Sequence, residues 1–249
     1  MVRTAGRPWW RSRDVGVDVV PEPIRPRHVG IVMDGNRRWA KAIGQAPSVG
    51  HRAGADHLGE VLDWLRTRGV DHVSVFVLSA DNIRKRSTAE VGYLFELIES
   101  VLPDTIERTR HWQVHLSGDL ALLSPGARRA LRRAVESSRG RAGHLTLAIG
   151  YDPHADIVAG VRAALADGAA ELDGAGLVEA IGERMPGGPV RDIDLVIRTS
   201  GERRISGFFP WQAARAEIVF SPKMWPAFTE ADLDVALAEY SRRRVAADT

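Results

Sequence analysis

The chain has 249 residues, long enough to bury one sizeable core, and its 44% apolar and 27% charged residues are an ordinary balance for a soluble globular domain. A formal net charge of +2 argues against a nucleic-acid partner. The lack of cysteine excludes a disulfide framework, a thiol nucleophile and cysteine metal ligands, and points to the cytoplasm.

Residues 1–27 are rich in Arg and Pro and lack the continuous apolar stretch of a signal peptide, so they read as an irregular arm. Trp9 and Trp10 either pin that arm to the body or lie exposed. Residues 28–249 read as one domain without internal repeats. No apolar run approaches the length of a membrane-spanning helix, which predicts no transmembrane segment. Short β-rich runs occur at Val29–Met33, Val73–Leu78, Gln113–Leu116, Leu145–Ile149, Asp194–Ile197 and Glu217–Phe220. Between them the apolar spacing turns helical. It does so at Leu58, Val61, Leu62 and Leu65, then at Val91, Leu94, Phe95, Ile98 and Val101. Further helices are predicted over Pro125–Ser138, Ile157–Leu165, Leu177–Met185 and Thr229–Arg244, the last opening with a Thr-x-x-Asp cap. This alternation predicts a single α/β domain with a mainly parallel six-stranded sheet. Such sheets bind ligands beyond the C-terminal ends of their strands.

Three strand ends carry the same kinds of residue. The first is MDGNRRWA, in which Gly35 permits a tight turn and Asn36, Arg37 and Arg38 supply a phosphate cradle. A carboxylate beside such a cradle makes sense when a divalent cation bridges them, and Mg²⁺ held by Asp34 plus substrate phosphates fits. The same residues also read as a helix cap followed by surface arginines. The second stretch is SADNIRKRS, where Ser79, Asp81 and Asn82 precede a basic run; a capped loop with solvated cations explains it equally well. The third is IRTSGERRIS, with Arg198, Glu202, Arg203, Arg204 and Ser206 in a Gly-punctuated loop. A salt-bridged surface loop would account for these charges, but not for two cation-plus-carboxylate sites at separate strand ends. Together the three describe a protein that holds two anionic groups, of diphosphate type, near Mg²⁺. His51 in VGHRAG would donate to the same phosphates, or serve as a structural histidine.

The stretches HVGIVMDGNRRWAK, VGHRAG, SADN, DLVIRTSGERRISGF, WQ and AEIVFSPKMWPAF resemble, in order, the signature regions of the cis-prenyltransferases. This family contains undecaprenyl diphosphate synthase and the short-chain Z-farnesyl diphosphate synthases. The resemblance implies a homodimer with a hydrophobic tunnel that joins isopentenyl diphosphate to an allylic diphosphate in Z geometry. It implies Asp34 as the essential aspartate working with Mg²⁺, and Gly35, Asn36, Arg37, Arg38, Trp39 and His51 as the allylic diphosphate cradle. Ser79 and Asn82 match the loop beside the reacting carbons, with Asn82 taking part in proton removal, and Asp81, Ile83 and Lys85 of the same loop are expected to bind substrate. Arg198, Arg204 and Ser206 match the isopentenyl diphosphate site, and Glu217 the second metal-linked carboxylate. The face Val91–Ile98 would line the tunnel, or merely fill the core.

The chain departs from the family pattern at several points. Pro47 stands where an allylic-phosphate Arg is usual, Asp81 where a Glu is usual and Ile83 where a Trp often follows. The turn after the fourth strand reads Gly150-Tyr151-Asp152-Pro153-His154, and Pro210 and Arg215 replace an aliphatic and a Tyr. The C-terminal Arg-x-Gly is not evident, leaving Arg242, Arg243 and Arg244 as substitutes. These departures leave room for an irregular, head-to-middle coupling of dimethylallyl units, or for a non-catalytic partner subunit, although the retained carboxylates argue against the latter. Val77 at the tunnel wall, bulkier than in long-chain members, predicts a product near C10–C20.

Overall fold

The structure, a computed structural model, describes residues 23–189 and 192–247. The arm predicted over residues 1–27, with Trp9 and Trp10, therefore lies mostly outside the described residues. Six strands form one all-parallel sheet: β1 (His28–Val32), β2 (His72–Ser79), β3 (Trp112–Ser117), β4 (Gly143–Tyr151), β5 (Leu195–Arg198) and β6 (Glu217–Phe220). Their order is β3-β4-β2-β1-β5-β6, so the sheet grows outward from β1 in both directions. The predicted strands coincide with these to within a few residues. β1, at the centre, is buried along its whole length, as its unbroken apolar run requires of a strand covered on both faces. β6, at the edge, is only half-buried.

Nine helices are described: α1 (Asn36–Ala42), α2 (Pro47–Thr67), α3 (Ala80–Lys85), α4 (Thr88–Ser100), α5 (Leu102–Arg108), α6 (Pro125–Ser137), α7 (Pro153–Ala166), α8 (Gly174–Glu183) and α9 (Glu230–Ala247). α2 opens with Pro at its first turn and buries a stripe through Gly50, His51, Gly54, Leu58, Val61, Leu62 and Leu65. The two glycines of that stripe decide how close α1 can come: a Cβ at Gly50 would collide with the Asn36 carbonyl, and one at Gly54 with the Asn36 side chain. α9 starts with the predicted cap, in which Thr229 and Asp232 bond each other's backbone and side chains reciprocally.

Two local features differ from the sequence reading. The ADNIRK stretch is a helical turn, α3, capped by Ser79 Oγ, which accepts from the Asn82 N–H at 3.0 Å. β2 is also irregular: its pairing with β4 slips between Phe76 and Leu78 and again before Ser79. A bulge of this kind turns side chains away from strict alternation. Phe76, Val77 and Leu78, three consecutive residues, consequently all face one cavity.

Candidate active site

The cavity has a volume of about 500 Å³ and lies beyond the C-terminal ends of β1, β2 and β5. One part of its wall is polar: Asp34, Asn36, Arg37, His51, Ser79, Asp81, Asn82, Arg86, Arg198, Arg204 and Ser206. The rest is apolar, formed by Leu58, Phe76, Val77, Leu78 and the α4–α5 residues Leu94, Leu97, Ile98, Val101 and Leu102. Gly35 and Arg38 line an adjoining opening together with Arg37, Lys41 and Glu202.

Asp34 is the meeting point. β1 and β5 pair side by side, with Val32 opposite Arg198, so the two residues leave the sheet together. The Asp34 N–H donates to Thr199 Oγ1 at 3.0 Å, and the Thr199 hydroxyl donates back to the Asp34 carbonyl at 2.7 Å. Gly35, at φ 108°, then turns the chain into α1 through a left-handed conformation that suits glycine. Arg198 Nη2 donates to Asp34 Oδ2 at 2.8 Å, while Arg38 Nη2 reaches Oδ1 at 3.4 Å. Burial by itself would raise the Asp34 pKa. The Arg198 hydrogen bond and charge, with Arg38 behind them, outweigh it and hold the carboxylate below its ordinary range.

Arg198 has only 4% of its side chain exposed. Its Nη1 donates to the Arg204 carbonyl and to Ser206 Oγ, both at 2.6 Å, so one buried guanidinium shapes the whole 198–206 loop. That loop holds Ser200 at φ 77° and Ser206 at φ 53°, non-glycine residues in the left-handed region, which is stored backbone strain of the kind found at binding loops. Glu202 pairs with Arg204 and, at 3.7 Å, with Arg38. On the opposite side of the mouth His51, Arg86 and Arg37 converge on Glu90, at 3.1, 2.9 and 3.7 Å. Burial lowers the His51 pKa despite the Glu90 hydrogen bond, so the imidazole favours its neutral form.

Not every residue expected at the site is there. Trp39 and Ile83 do not line the cavity, and Ile83 packs against the main core instead. Lys85 lies at the surface, paired with Asp81 at 2.7 Å. Trp211 packs on the small cluster between α7 and α8, and Gln212 is buried where its carbonyl accepts from the Ile193 N–H. Glu217 opens β6 opposite Leu195, which itself pairs with Val29, five residues before Asp34. At a rise of about 3.3 Å per residue, that places Glu217 roughly 16 Å from Asp34 along the strand direction. It pairs there with Arg243 at 3.3 Å, so within one chain the two carboxylates do not share an ion. Glu90, Thr199 and Arg86 were missed as site residues. For Glu90 the Ser87-x-x-Glu90 pattern was legible only as a cap, which it also is: Ser87 Oγ accepts from the Glu90 N–H.

A chain with this arrangement can hold phosphate-rich anions at one end of a cavity and a hydrocarbon along the other. Residues 32–247 match the prenyltransferase family described as undecaprenyl diphosphate synthase. The chain belongs to this family of cis-prenyltransferases. An isoprenyl transferase of Streptomyces fradiae is 40% identical over 88% of this chain and 89% of its own length. A (2Z,6E)-farnesyl diphosphate synthase of Mycobacterium tuberculosis is 42% identical over 88% of this chain and 86% of its own. The crystal structure of lavandulyl diphosphate synthase from Lavandula x intermedia, in complex with dimethylallyl diphosphate, superposes with a TM-score of 0.78 at 31% identity, covering 87% of this chain and 95% of that one. The chain is therefore a prenyltransferase enzyme, and its single α/β layer of six parallel strands is the family's fold.

Proposed function

We propose that this enzyme condenses isopentenyl diphosphate with an allylic diphosphate in Z configuration and releases a short-chain prenyl diphosphate. The observation that carries this reading is one cavity with the Asp34–Arg198 pair and the arginines at its polar end and the α4–α5 leucines at the other. The C–O bond of the allylic diphosphate breaks as C1 bonds to the terminal alkene carbon of isopentenyl diphosphate, and a proton leaves C2 of the new unit. Arg37, Arg38, Arg86 and His51 bind the allylic diphosphate and stabilise the charge it gathers on leaving. Arg198, Arg204 and Ser206 hold the isopentenyl diphosphate in line for attack. Ser79 and Asn82 face the reacting carbons. An amide is too weak a base to keep the proton, so Asn82 orients its loss toward a phosphate oxygen.

Asp34 suits Mg²⁺ in the manner of a single carboxylate that shares the ion with substrate phosphates. The donor chemistry agrees: an ionised, half-buried carboxylate lies at the mouth, and no group of three or more acidic or histidine ligands exists among the described residues to cage the ion without substrate. Bound there, Mg²⁺ supplies charge neutralisation to the leaving diphosphate.

The enzyme works as a homodimer in the cytoplasm, without a nucleic-acid partner. The edge strand β6 supports the dimer, since Ile218, Val219 and Phe220 form a groove with α9, on which Val235 is 70% exposed. Glu217 would meet a metal only across such an edge, from a second chain. No described helix is long and apolar enough to cross a membrane. Arg242 and Arg243, the substitutes for Arg-x-Gly, are both tied to Glu239 on α9.

A second reading, irregular coupling of two dimethylallyl diphosphates, is favoured by the likeness to lavandulyl diphosphate synthase. Mass spectrometry of products formed with Mg²⁺ and dimethylallyl, geranyl or farnesyl diphosphate, with and without isopentenyl diphosphate, separates the readings. Growth in C5 steps only with isopentenyl diphosphate supports chain elongation. A C10 product from dimethylallyl diphosphate alone supports the second reading, and no product under any condition supports a non-catalytic subunit. Val77, brought to the wall by the bulge in β2, sets a product near C10–C20, and Val77→Ala lengthens it in the same assay; unchanged length refutes that role.

A further inference from the structure

Glu90 is set behind the cradle. It lines neither opening of the site, whereas Arg37, His51 and Arg86, the three groups it touches, all do. Those three come from α1, α2 and the α3–α4 junction, elements that share no local sequence. For each of them Glu90 is the only hydrogen-bonding or ionic side-chain partner among the described residues. His51 Nε2 and Arg86 Nη1 meet on the same oxygen, Oε1, and Arg37 approaches Oε2. Glu90 itself is 18% exposed and is fixed by the first turn of α4. From that helix Leu94, Leu97 and Ile98, four, seven and eight residues on, project into the apolar part of the cavity along the same face.

Resting on the phosphate-binding reading above, we propose that Glu90 is a positioning residue: its carboxylate gathers Arg37, His51 and Arg86 into one diphosphate cradle and locks that cradle to the helix lining the hydrocarbon wall. Two effects oppose each other when its charge is removed. The net positive charge at the mouth rises, which favours an anion. Three long or rotatable side chains, however, lose their shared anchor and must be ordered by the ligand itself. The Arg37–Glu90 pair is long at 3.7 Å and Arg37 is largely exposed, so releasing this arginine from Glu90 adds little. The loss of geometry dominates, because two charge-assisted hydrogen bonds and the register of three elements depend on one carboxylate.

The test is calorimetric titration of the full-length enzyme with inorganic pyrophosphate in the presence of Mg²⁺, alongside steady-state kinetics with an allylic diphosphate. Glu90→Gln should bind pyrophosphate about tenfold more weakly, the scale seen when an outer positioning group is lost. KM for the allylic diphosphate should rise by a similar factor with kcat within about threefold, the mark of lost uniform binding. Glu90→Asp, which keeps the charge on a shorter stem, should recover part of the loss. Equal or tighter binding by Glu90→Gln overturns the proposal and makes Glu90 a competitor of the substrate instead. If Glu90→Gln lacks a cooperative melt, Glu90→Asp decides alone: weaker binding with a native melt supports the proposal, and unchanged binding overturns it. A wild-type enzyme that does not bind pyrophosphate overturns the phosphate reading itself, and this inference with it.

Discussion

The two ends of the one sheet use the same residue types for different ends. At the C-terminal ends of β1 and β5, Asp34 faces Arg198 and Arg38 over a cavity. At the N-terminal ends, Asp194 accepts the backbone N–H groups of Arg27 and His28 at 2.8 and 2.9 Å, and Arg27 pairs with Asp71 at 3.1 Å. There His28 stacks on His72 at 3.9 Å between centroids, and Glu217 pairs with Arg243. A carboxylate whose oxygen is taken up by backbone donors closes a strand end. One whose partners are arginines beside a cavity, Arg198 buried and fixed and Arg38 half-exposed, leaves charge aimed at a ligand. The presence of acids and bases therefore does not mark a site; the end of the sheet they occupy does.

This contrast can be broken most directly at Asp34. Asp34→Asn, nearly isosteric, should lower product formation by at least about 10³-fold at saturating substrate, because it removes charge aimed at the reacting diphosphate. Asp194→Asn, the same change at the other end, should leave turnover within about threefold yet cost about 1–3 kcal/mol of stability in a denaturant melt, by weakening two backbone hydrogen bonds. A comparable loss of turnover in both variants would refute the division of labour. Next in size is Arg198→Lys. An ammonium cannot make the three fixed contacts of the guanidinium, so kcat/KM should fall about 100-fold, read by varying isopentenyl diphosphate.

A smaller effect sharpens the comparison from a third place. Asp156 on α7 is 5% exposed, and its Oδ1 accepts from the Ser117 hydroxyl at 2.8 Å. Burial pushes its pKa up from the ordinary 3.8 to about 6, against the Ser117 hydrogen bond. Its folded pKa is raised, so its contribution to stability is complete below pH 4 and is lost as the pH rises through about 6. The gap between 3.8 and about 6 corresponds to about 3 kcal/mol. Asp156→Asn should therefore melt higher than wild type at pH 8 by up to that amount, and equally at pH 4. Asp34 runs the opposite way: its lowered pKa contributes stability above the ordinary carboxylate range that is lost as the pH falls. Identical melts of Asp156→Asn and wild type across the pH range would show that Asp156 is not held as an acid.

Much of this molecule was legible before folding. The alternation of apolar period located all six strands, because strand and helix spacing are local properties of the chain. Asp34, Arg198, Arg204 and Ser206 stood out because charge gathered where apolar runs stopped, and the resemblance carried by MDGNRRWA and RTSGERRIS placed them in a family. Other assignments were beyond local reading. Lys85 and Arg86 are one residue apart, yet one pairs at the surface with Asp81 and the other lines the cavity against Glu90. α3 ends at Lys85 and the backbone turns extended at Arg86, and nothing in RKRS says where that break falls or which of the two turns inward.

The sequence by itself determined the fold class, the family and the strand ends at which the charged residues of the cavity gather, since each depends on periodicity and on short motifs. Only the tertiary structure decided which end of the sheet Glu217 occupies, that the pairing of β2 with β4 slips on either side of Leu78, and that Glu90 gathers side chains from three separate elements. Those outcomes follow from strand register and helix docking, which are set by partners far away along the chain and leave no local pattern to read.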